Sequence, residues 1–339
     1  MFYGTIHFNI IAIVAAIALV GGCDKKGNGG GAVSEVRLGY FANVTHAQAV
    51  LGDASGEFEQ AIAPAKLVRR PFNAGPSLIE ALFAGEIDIG YIGPGPAINA
   101  HERSRGKGVR IIAGAAANGV LIVARKDAGI EKLADLKGKT IATPQYGNTQ
   151  DISARHYVLA QLKQANADNV RPIANAQQAA MLSAGQIDAA WVPEPWGSRL
   201  VIESGAKLIA HEKDVKQLWP GGELNLTVVI TTPEFLAQHG DIVEKMLRVH
   251  RSWTARLQKD PGTYREQLGA ALFKMTGTKL PPGVLDGALA NVKFTDDPLE
   301  GTLKSMAEWS YELKIARQPA SVEGLVDLTI LRKLQQAGN

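Results

Sequence analysis

A stretch of sixteen residues occurs twice in this chain, at a spacing of 100 residues. Residues 81–96, ALFAGEIDIGYIGPGP, align without a gap with residues 181–196, MLSAGQIDAAWVPEPW. Five positions are identical: Leu82/Leu182, Ala84/Ala184, Gly85/Gly185, Ile87/Ile187 and Asp88/Asp188. Each copy reads as an apolar helix that ends at a glycine, a short strand buried on both faces and a proline-rich turn. The repeated unit predicts two lobes of similar architecture.

Other β-prone segments frame each copy, and they alternate with helical patterns. They are residues 36–40, 66–69 and 110–114 around the first copy, and residues 140–143, 170–173 and 207–209 around the second. Alternation of this kind predicts mostly parallel α/β sheets, in which ligands bind beyond the carboxyl ends of the strands. Two further β-prone segments, Val120–Ala124 and Asn225–Thr231, are predicted to carry the chain between the lobes and to form a hinge.

The predicted first lobe therefore contains residues 35–120 and 226–339, and the predicted second lobe contains residues 121–225. An amphipathic stripe after Thr232 is expected to pack on the first lobe. A chain of 339 residues with 46% apolar content can fill two cores of this size. The formal net charge is only +3, with no long run of either sign, which disfavours nucleic acid as a partner.

The N-terminal segment has the pattern of an export signal. An apolar run from Ile10 to Val20 is too short to span a bilayer comfortably and leads directly into Gly21-Gly22-Cys23. The segment from Val20 to Cys23 resembles the bacterial lipobox, and Cys23 is the only cysteine. We therefore expect a signal peptide over residues 1–23, lipidation at Cys23 and a flexible tether over residues 24–34. This predicts a periplasmic or cell-surface protein anchored by lipid.

Three loops in the first lobe supply candidate ligand contacts. Asn43, Thr45 and His46 follow the first strand and precede a helix, so the first two could instead be ordinary helix caps. His46 is a titratable donor beside a helix N-terminus, where an anion would bind.

Glycine and proline dominate the other two loops. Gly75 and Pro76 begin a second helix, with the proline suited to its first turn. Gly93, Pro94 and Gly95 form a rigid turn that is either a tight connection or a surface a ligand approaches closely.

The strongest candidate for an anion site lies in the second lobe. Asn148, Thr149 and Gln150 follow the glycine of Tyr146-Gly147 and open a helix, whose free N–H groups and partial positive charge suit a carboxylate, sulfonate or phosphonate. An ordinary helix cap is the alternative interpretation of this segment.

The turn of the second copy carries a carboxylate and an aromatic ring. Glu194 lies between two prolines, and Trp196 follows the second of them. A carboxylate in the cleft would repel a bare anion and attract a hydrogen-bond donor. The alternative is an ion pair with Arg199. Since the first copy has glycine in the corresponding turn, we expect an asymmetric cleft, with a close-approach wall at Gly95 opposite Glu194.

Motifs for catalysis are missing from the sequence. The seven histidines are scattered, with no His-Glu-x-x-His pair and no Cys-His cluster, so no metal site is predicted. Gly138-Lys139-Thr140 lacks the earlier glycine of a phosphate loop, because Leu133 occupies that position, and no Gly-x-Ser-x-Gly elbow occurs. The chain is predicted to be neither an enzyme nor a cofactor-dependent protein.

Five segments together resemble the substrate-binding component of the nitrate, sulfonate, taurine and bicarbonate group of ATP-driven importers, and most of all its aliphatic-sulfonate branch. They are residues 38–47, LGYFANVTHA; 85–90, GEIDIG; 133–139, LADLKGK; 147–151, GNTQD; and 191–196, WVPEPW. The resemblance implies a type II periplasmic-binding-protein fold, with two α/β lobes joined by a two-strand hinge.

The same resemblance implies a monomer that closes over a small anionic or zwitterionic solute, with an aliphatic sulfonate or taurine expected first. It would deliver the solute to membrane permease subunits served by a separate ATPase. Two alternatives stay open at this point. Thiamin-pyrimidine synthesis enzymes are similar in fold, although their cysteine-rich stretch is missing here, and a sensory binding module would use the same architecture.

Overall fold

The computed structural model describes Met1, residues 33–319 and residues 321–338. Cys23, the predicted signal peptide beyond Met1 and most of the predicted tether lie outside the described residues. From residue 33 onwards the described chain forms one compact unit.

The strands alternate with helices along most of this unit. The strands are β1 (Glu35–Phe41), β2 (Lys66–Phe72), β3 (Ile89–Ile92), β4 (Arg110–Asn118), β5 (Val120–Ala124), β6 (Ile141–Thr143), β7 (Val170–Pro172), β8 (Ala189–Pro193), β9 (Lys207–His211), β10 (Asn225–Thr231) and β11 (Val292–Phe294). The helices are α1 (Ala47–Ala54), α2 (Glu57–Ile62), α3 (Gly75–Phe83), α4 (Pro94–Arg103), α5 (Thr149–Ala160), α6 (Asn175–Ser183), α7 (Trp196–Glu203), α8 (Pro233–Gln238), α9 (Gly240–Lys259), α10 (Arg265–Thr276), α11 (Val284–Asn291), α12 (Glu300–Glu312) and α13 (Thr329–Gln336). Short 3₁₀ turns occupy Val44–His46, Leu133–Leu136, Glu212–Asp214 and Pro261–Tyr264.

Two sheets organise these elements, and they share one strand order. The first sheet runs β11-β4-β10-β3-β1-β2, and the second runs β7-β6-β8-β5-β9. In the first, β1 pairs in parallel with β2 and β3, while β10 pairs antiparallel with β3 and β4. In the second, β6 pairs in parallel with β7 and β8, while β5 pairs antiparallel with β8 and β9. Strands β5 and β10 therefore hold equivalent positions, one in each sheet, and each follows a crossing of the chain between the sheets.

This topology confirms the predicted fold of two α/β lobes joined by a two-strand hinge. The expectation of mostly parallel sheets was wrong, because β5 and β10 return from the opposite lobe and run antiparallel to both of their neighbours. In the text below, the first lobe means the first sheet with its helices, and the second lobe means the second sheet with its helices. Helix α9, which follows Thr232, packs on α1, α2 and β11 of the first lobe through a stripe that includes Val243 and Trp253.

The two copies of the repeated sequence form the same helix, turn and strand, and they differ after the strand, where α4 begins at Pro94 but α7 begins only at Trp196. Helices α3 and α6 begin at Gly75 and Asn175, at the same spacing of 100 residues. Both end at a glycine with φ of 70°, Gly85 and Gly185, which glycine adopts without the cost a side chain would bring. The structure thus extends the equivalence of the copies backwards to the start of the two helices.

The aspartate before the strand has the same structural role in both copies of the repeat. Asp88 Oδ2 accepts the backbone N–H of Arg37 on β1 at 2.7 Å, and Asp188 Oδ2 accepts the backbone N–H of Thr140, beside β6, at 2.9 Å. Each carboxylate also pairs with an arginine, Arg37 and Arg125 respectively. Each aspartate therefore joins two neighbouring parallel strands at their start.

The lobes share an apolar core as well as hinge strands. One continuous cluster of buried side chains includes Ile98 of α4, Ile152 of α5 and Trp309 of α12. The Trp309 ring stacks on His156 of α5 with centroids 4.4 Å apart and meets Trp219 at 4.9 Å. Helix α12 thus packs against both lobes. Within the residues that the structure describes, none of the helices is both long enough and apolar enough to cross a bilayer.

Candidate functional site

A narrow pocket lies between the lobes, beyond the carboxyl ends of β1, β3, β6 and β8. We call it the inner pocket. Its wall comes from both lobes and from the hinge strand β10. The lining residues are Phe41, Asn43, Thr45, His46, Asn73, Gly93, Pro144, Asn148, Thr149, Gln150, Asn175, Pro193, Leu226 and Thr227.

Helix N-termini converge on this pocket. The 3₁₀ turn before α1, and helices α3, α4, α5 and α6, all begin at or next to a lining residue. None of their N-cap residues uses its side chain to accept a first-turn N–H. By contrast, Thr232 Oγ1, away from the pocket, accepts the N–H of Phe235 at the start of α8. In α4, Pro94 and Pro96 have no N–H and the Gly95 N–H is bonded to Thr149 Oγ1, so the N–H groups available to a solute come from the other helices, chiefly α5 and α6. The positive ends of all these helix dipoles face the pocket.

Helix α5 presents its first turn to the pocket through three buried polar residues, Asn148, Thr149 and Gln150. The carboxylate that follows them is turned away. Asp151 accepts bonds from Thr143 Oγ1 at 2.8 Å, Gly147 N–H at 3.0 Å and Arg155 Nε at 2.9 Å. Asn148 does not cap the helix with its side chain, so the interpretation of this segment as an ordinary side-chain cap does not describe it.

His46 is held as a neutral hydrogen-bond donor. Its ring stacks on Phe41 with centroids 4.4 Å apart, and its Nδ1 accepts the backbone N–H of Phe41 at 3.3 Å. Burial lowers the pKa of His46 to about 3, so the ring is neutral at physiological pH. Because Nδ1 is an acceptor, the proton of the neutral ring is on Nε2. His46 thus offers an N–H to the pocket without a formal charge.

Direct contacts hold the two lobes together around the pocket. The Gly95 N–H donates to Thr149 Oγ1 at 3.2 Å, and Trp196 Nε1 donates to Asn43 Oδ1 at 3.1 Å. A Cβ atom on Gly93 would lie 2.5 Å from Thr149 Oγ1, and one on Gly95 would lie 2.9 Å from Ile152 Cδ1. Glycine is therefore required at this turn because α5 of the other lobe packs directly against it.

Seven of the predicted ligand contacts line the inner pocket, and one lines the wider cleft outside it. The seven are Asn43, Thr45, His46, Gly93, Asn148, Thr149 and Gln150. Trp196 lies in the outer cleft, a wider space that shares Phe41, Asn43, Asn73, Pro144 and Asn175 with the inner pocket.

Four predicted contacts do not line the inner pocket, because other parts of the protein pack against them or they lie within the first turn of a helix. A Cβ atom on Gly75 would lie 2.4 Å from Pro96 Cγ. Pro76 and Pro94 occupy the first turns of α3 and α4, where proline costs no hydrogen bond. Gly95 is a close-approach surface as predicted, but it approaches α5 rather than the inner pocket.

Glu194 differs most from its predicted setting. Its side chain is fully buried and does not line the pocket. It accepts hydrogen bonds from Ser198 N–H at 3.0 Å, Ser198 Oγ at 2.8 Å and Asn291 Nδ2 at 2.6 Å. Burial raises its pKa, and these three bonds oppose the rise. The alternative partner, Arg199, instead pairs with Glu203. Glu194 thus connects the second lobe to α11 of the first, and the expected carboxylate in the cleft is not there.

Sequence reasoning missed seven lining residues. Asn175 had a usable signal, because the repeat spacing places it opposite Gly75 at the start of a helix. Asn73 adjoins a segment that was selected. Leu226 and Thr227 gave no signal, since they belong to a buried hinge strand that reads as core. The remaining three are Phe41, Pro144 and Pro193.

The inner pocket carries no formal charge. In the part of the chain that the structure describes, no Lys, Arg, Asp or Glu lines it. Nor do three or more His, Cys, Asp and Glu side chains come together anywhere in the described ranges as a metal site would require. The chemistry available is hydrogen-bond donation from amides, hydroxyls, His46 and helix N-termini. That chemistry suits binding and release of an anion rather than its conversion.

A pocket of helix N-termini enclosed between two hinged α/β lobes defines a two-lobed solute-binding protein. The chain belongs to the NMT1-like family, which it matches over residues 29–269. It is 25% identical to the putative aliphatic sulfonates-binding protein of Bacillus subtilis (strain 168) over 96% of both chains. It is 32% identical to the taurine-binding periplasmic protein of Escherichia coli (strain K12) over 52% of both chains.

Among solved structures, the fold is similar to the alkanesulfonate-binding protein SsuA from Xanthomonas axonopodis pv. citri bound to MOPS. The TM-score is 0.70 at 23% identity, covering 88% of this chain and 99% of that one. These relatives are named as binding proteins, and the chain is a binding protein rather than an enzyme.

Proposed function

We propose that this chain is the extracytoplasmic solute-binding component of an ABC importer, and that it captures a small organic anion, with an aliphatic sulfonate as the leading solute. The lobes close over the solute at the inner pocket, and the closed protein delivers it to permease subunits that are served by a separate ATPase.

One observation carries this proposal: several helices of both lobes begin at a pocket without formal charge, and the first-turn N–H groups of α5 and α6 are not capped by the side chains of their N-cap residues. Each helix adds a partial positive charge, and α5 and α6 add free N–H donors, which together favour an anion over a neutral or cationic solute. A sulfonate fits this chemistry because it is ionised at every physiological pH and presents three acceptor oxygens. The names of the sulfonate- and taurine-binding relatives support the same class of solute.

Calorimetry of the refolded, ligand-free chain tests the proposal directly. The titrants are alkanesulfonates, taurine, nitrate, bicarbonate and phosphonates. We expect a sulfonate to bind with the highest affinity. Silence towards every sulfonate, combined with binding of an uncharged or cationic solute, would overturn the proposal.

A charge variant separates binding from folding. Asn148→Asp adds a negative charge at the N-terminus of α5, where aspartate is favourable for the helix but repels an anion in the pocket. We expect sulfonate affinity to fall at least tenfold without loss of thermal stability. The matched control is Asn166→Asp, which adds the same charge to an exposed loop of the same lobe and should leave affinity unchanged.

The remaining elements of the proposal concern where the protein resides. We propose residues 1–23 as a signal peptide, residues 24–34 as a tether and Cys23 as the lipidated anchor. The folded monomer then comprises residues 35–120 with 226–339 as one lobe and 121–225 as the other. Labelling with a radioactive fatty acid tests the anchor: the wild type should incorporate label and Cys23→Ser should not. An unprocessed, unlabelled wild-type chain would contradict it.

A further inference from the structure

The outer cleft continues from the inner pocket to the surface, and its walls differ in kind from those of the pocket. On one side, Trp196 of α7 presents its indole ring, with the Arg199 guanidinium stacked 4.8 Å from the ring centroid. On the other side, α10 and the loop after it contribute Leu272, Met275 and Leu280. The passage from the inner pocket to the surface thus lies between the Trp196 ring and the apolar side chains of α10 and the loop after it.

The aromatic side of the cleft is fixed in orientation. The Trp196 indole N–H is bonded to Asn43 Oδ1 across the lobes, at 3.1 Å. The Arg199 guanidinium is held by Glu203, with Nε and Nη2 at 2.9 and 3.1 Å from its carboxylate oxygens. Because both groups are already engaged, the ring face can pack on a tail without first losing side-chain freedom.

Among the described residues, no carboxylate lines the cleft to pair with a cation, and the Trp196 ring is already stacked with the Arg199 guanidinium. Over the described residues, no Asp or Glu lines either the inner pocket or the outer cleft, and Arg199 is the one charged side chain in the combined lining. Glu194 is buried behind the wall and its oxygens accept bonds from Ser198 and Asn291. An ammonium group on a solute would therefore lose water, gain no carboxylate and face the positive charge of Arg199.

We propose that the outer cleft receives an uncharged, apolar tail, so that the solute is an alkyl- or arylsulfonate without an ammonium group, and that Trp196, Met275 and Leu280 determine this specificity. The inference rests on the proposed function of the inner pocket. Each tail methylene that enters the cleft should tighten binding about fourfold, the value expected for burial of a CH₂ group. Taurine, which differs from ethanesulfonate by one ammonium group, should bind at least tenfold more weakly than ethanesulfonate.

Calorimetry of the refolded, ligand-free full chain with ethanesulfonate, taurine, hexanesulfonate and benzenesulfonate tests this inference. We expect hexanesulfonate to bind about 10- to 200-fold more tightly than ethanesulfonate, the upper value corresponding to burial of all four extra methylenes, with benzenesulfonate also tighter than ethanesulfonate. Met275→Asp should abolish most of the hexanesulfonate advantage, measured as the ratio of hexanesulfonate affinity to ethanesulfonate affinity in the same variant, so that repulsion of the shared sulfonate group cancels. The matched control is Phe273→Asp, on the same helix but exposed and outside the cleft lining, which should preserve the advantage.

The outcomes separate the two proposals. Sulfonate binding in which taurine equals or exceeds ethanesulfonate overturns the inference and leaves the proposed function standing. The inference is also overturned, and the proposed function left standing, if hexanesulfonate keeps its full affinity advantage over ethanesulfonate in both Met275→Asp and Trp196→Ala. Failure of every sulfonate to bind a chain whose circular dichroism shows it folded overturns the proposed function, and the inference with it.

Discussion

Residues 75–96 and residues 175–196 build the same helix, turn and strand in the two lobes, but the ends of the two segments do different work. In the first copy, Gly93 and Gly95 allow α5 of the second lobe to pack against the turn. In the second copy, Glu194 reaches α11 of the first lobe through Asn291. Both turns therefore contact the opposite lobe, one by the absence of side chains and the other by a buried carboxylate. The duplicated scaffold is symmetric, whereas the interface that it supports is not.

The buried aromatic residue in each strand shows a second difference. Tyr91 and Trp191 are aligned and both are fully buried. The Tyr91 hydroxyl is 2.9 Å from Nδ1 of His250, whereas Trp191 Nε1 donates to Glu212 at 2.7 Å. One lobe therefore buries a basic group behind its repeated strand, and the other buries an acidic group in the equivalent place.

The largest expected effect tests the shared part of the scaffold. Asp88→Ala should lower the free energy of unfolding by about 3 kcal/mol, because it removes an acceptor that joins two strands and leaves Arg37 without its partner. Asp188→Ala should cost about half as much, about 1.5 kcal/mol, because its side chain is 24% exposed against 6% for Asp88. Urea unfolding measures both. Glu86→Ala is the control, because Glu86 is exposed in the same loop as Asp88. If the two aspartate variants lower the free energy of unfolding no more than Glu86→Ala does, the strand-joining role is contradicted.

The asymmetric turn is tested by Gly93→Ala. The backbone at Gly93, with φ of −68°, accepts alanine, but the added Cβ would lie 2.5 Å from Thr149 Oγ1 of the other lobe. We expect sulfonate affinity to fall about 30-fold, or about 2 kcal/mol, because closure must displace α5. Gly221→Ala, where the new Cβ meets open space, should leave affinity unchanged. Calorimetry measures the sulfonate affinity of both variants. Equal affinities would show that the close approach of Gly93 to α5 does not govern closure.

The buried partners of the aromatic pair predict opposite responses to pH. Burial lowers the pKa of His250 to about 4, so the stability it contributes is complete above its unfolded pKa of about 6.5 and is lost as pH falls. Between pH 6.5 and 5.5 this loss should be about 1 kcal/mol. Burial raises the pKa of Glu212, so its effect has the other sign: stability is lost as pH rises above about 4.5 through its folded pKa.

Unfolding curves of two variants separate these contributions. His250→Gln should flatten the acid side of the stability profile, and Glu212→Gln should flatten the profile on the alkaline side of pH 4.5. Burial also lowers the pKa of His46, to about 3, so part of the acid sensitivity should remain in His250→Gln. If His250→Gln has the same dependence of stability on pH as the wild type between pH 5.5 and 6.5, the assignment of a neutral buried histidine is contradicted.

The smallest expected effect concerns the hydrogen bond between Trp196 and Asn43. Trp196→Phe retains an aromatic ring but removes the indole N–H that donates across the lobes. Sulfonate affinity should fall about threefold, the usual contribution of one neutral hydrogen bond. Trp253→Phe is the matched control, because Trp253 Nε1 has no hydrogen-bond partner in the described residues and lies far from the cleft lining. An equal change in both variants would exclude a role for this bond in closure.

Local sequence patterns were sufficient for the scaffold. The repeated glycine and aspartate, the apolar strands and the two crossing strands all follow from short-range propensity and spacing, and the structure confirms the fold they predicted. The same spacing also pointed to Asn175, because a helix that starts at Gly75 in one copy starts at Asn175 in the other. The helix openings around Asn148 and His46 were identifiable because capping patterns are written in adjacent residues.

What the sequence could not show was which residues meet across the lobes. Glu194 accepts a hydrogen bond from Asn291, which is 97 residues away in the sequence. The sequence near these two residues contains no pattern that predicts this contact. Gly95 was selected correctly as a place of close approach, but a glycine does not indicate whether a ligand or another helix approaches it. Thr227 lies on a buried strand whose apolar pattern is that of core, so its position at the pocket depends on how the hinge places it.

The tryptophans give this molecule a built-in optical probe. Trp191, Trp219, Trp253 and Trp309 are at most 8% exposed, whereas Trp196, on the aromatic wall of the outer cleft, is half-buried. Solute arrival alters the surroundings of that one indole directly, whereas the other four are buried and do not line the cleft. A change in emission wavelength on addition of a solute would therefore report on the cleft, and the loss of that change in Trp196→Phe would assign the signal to a single residue.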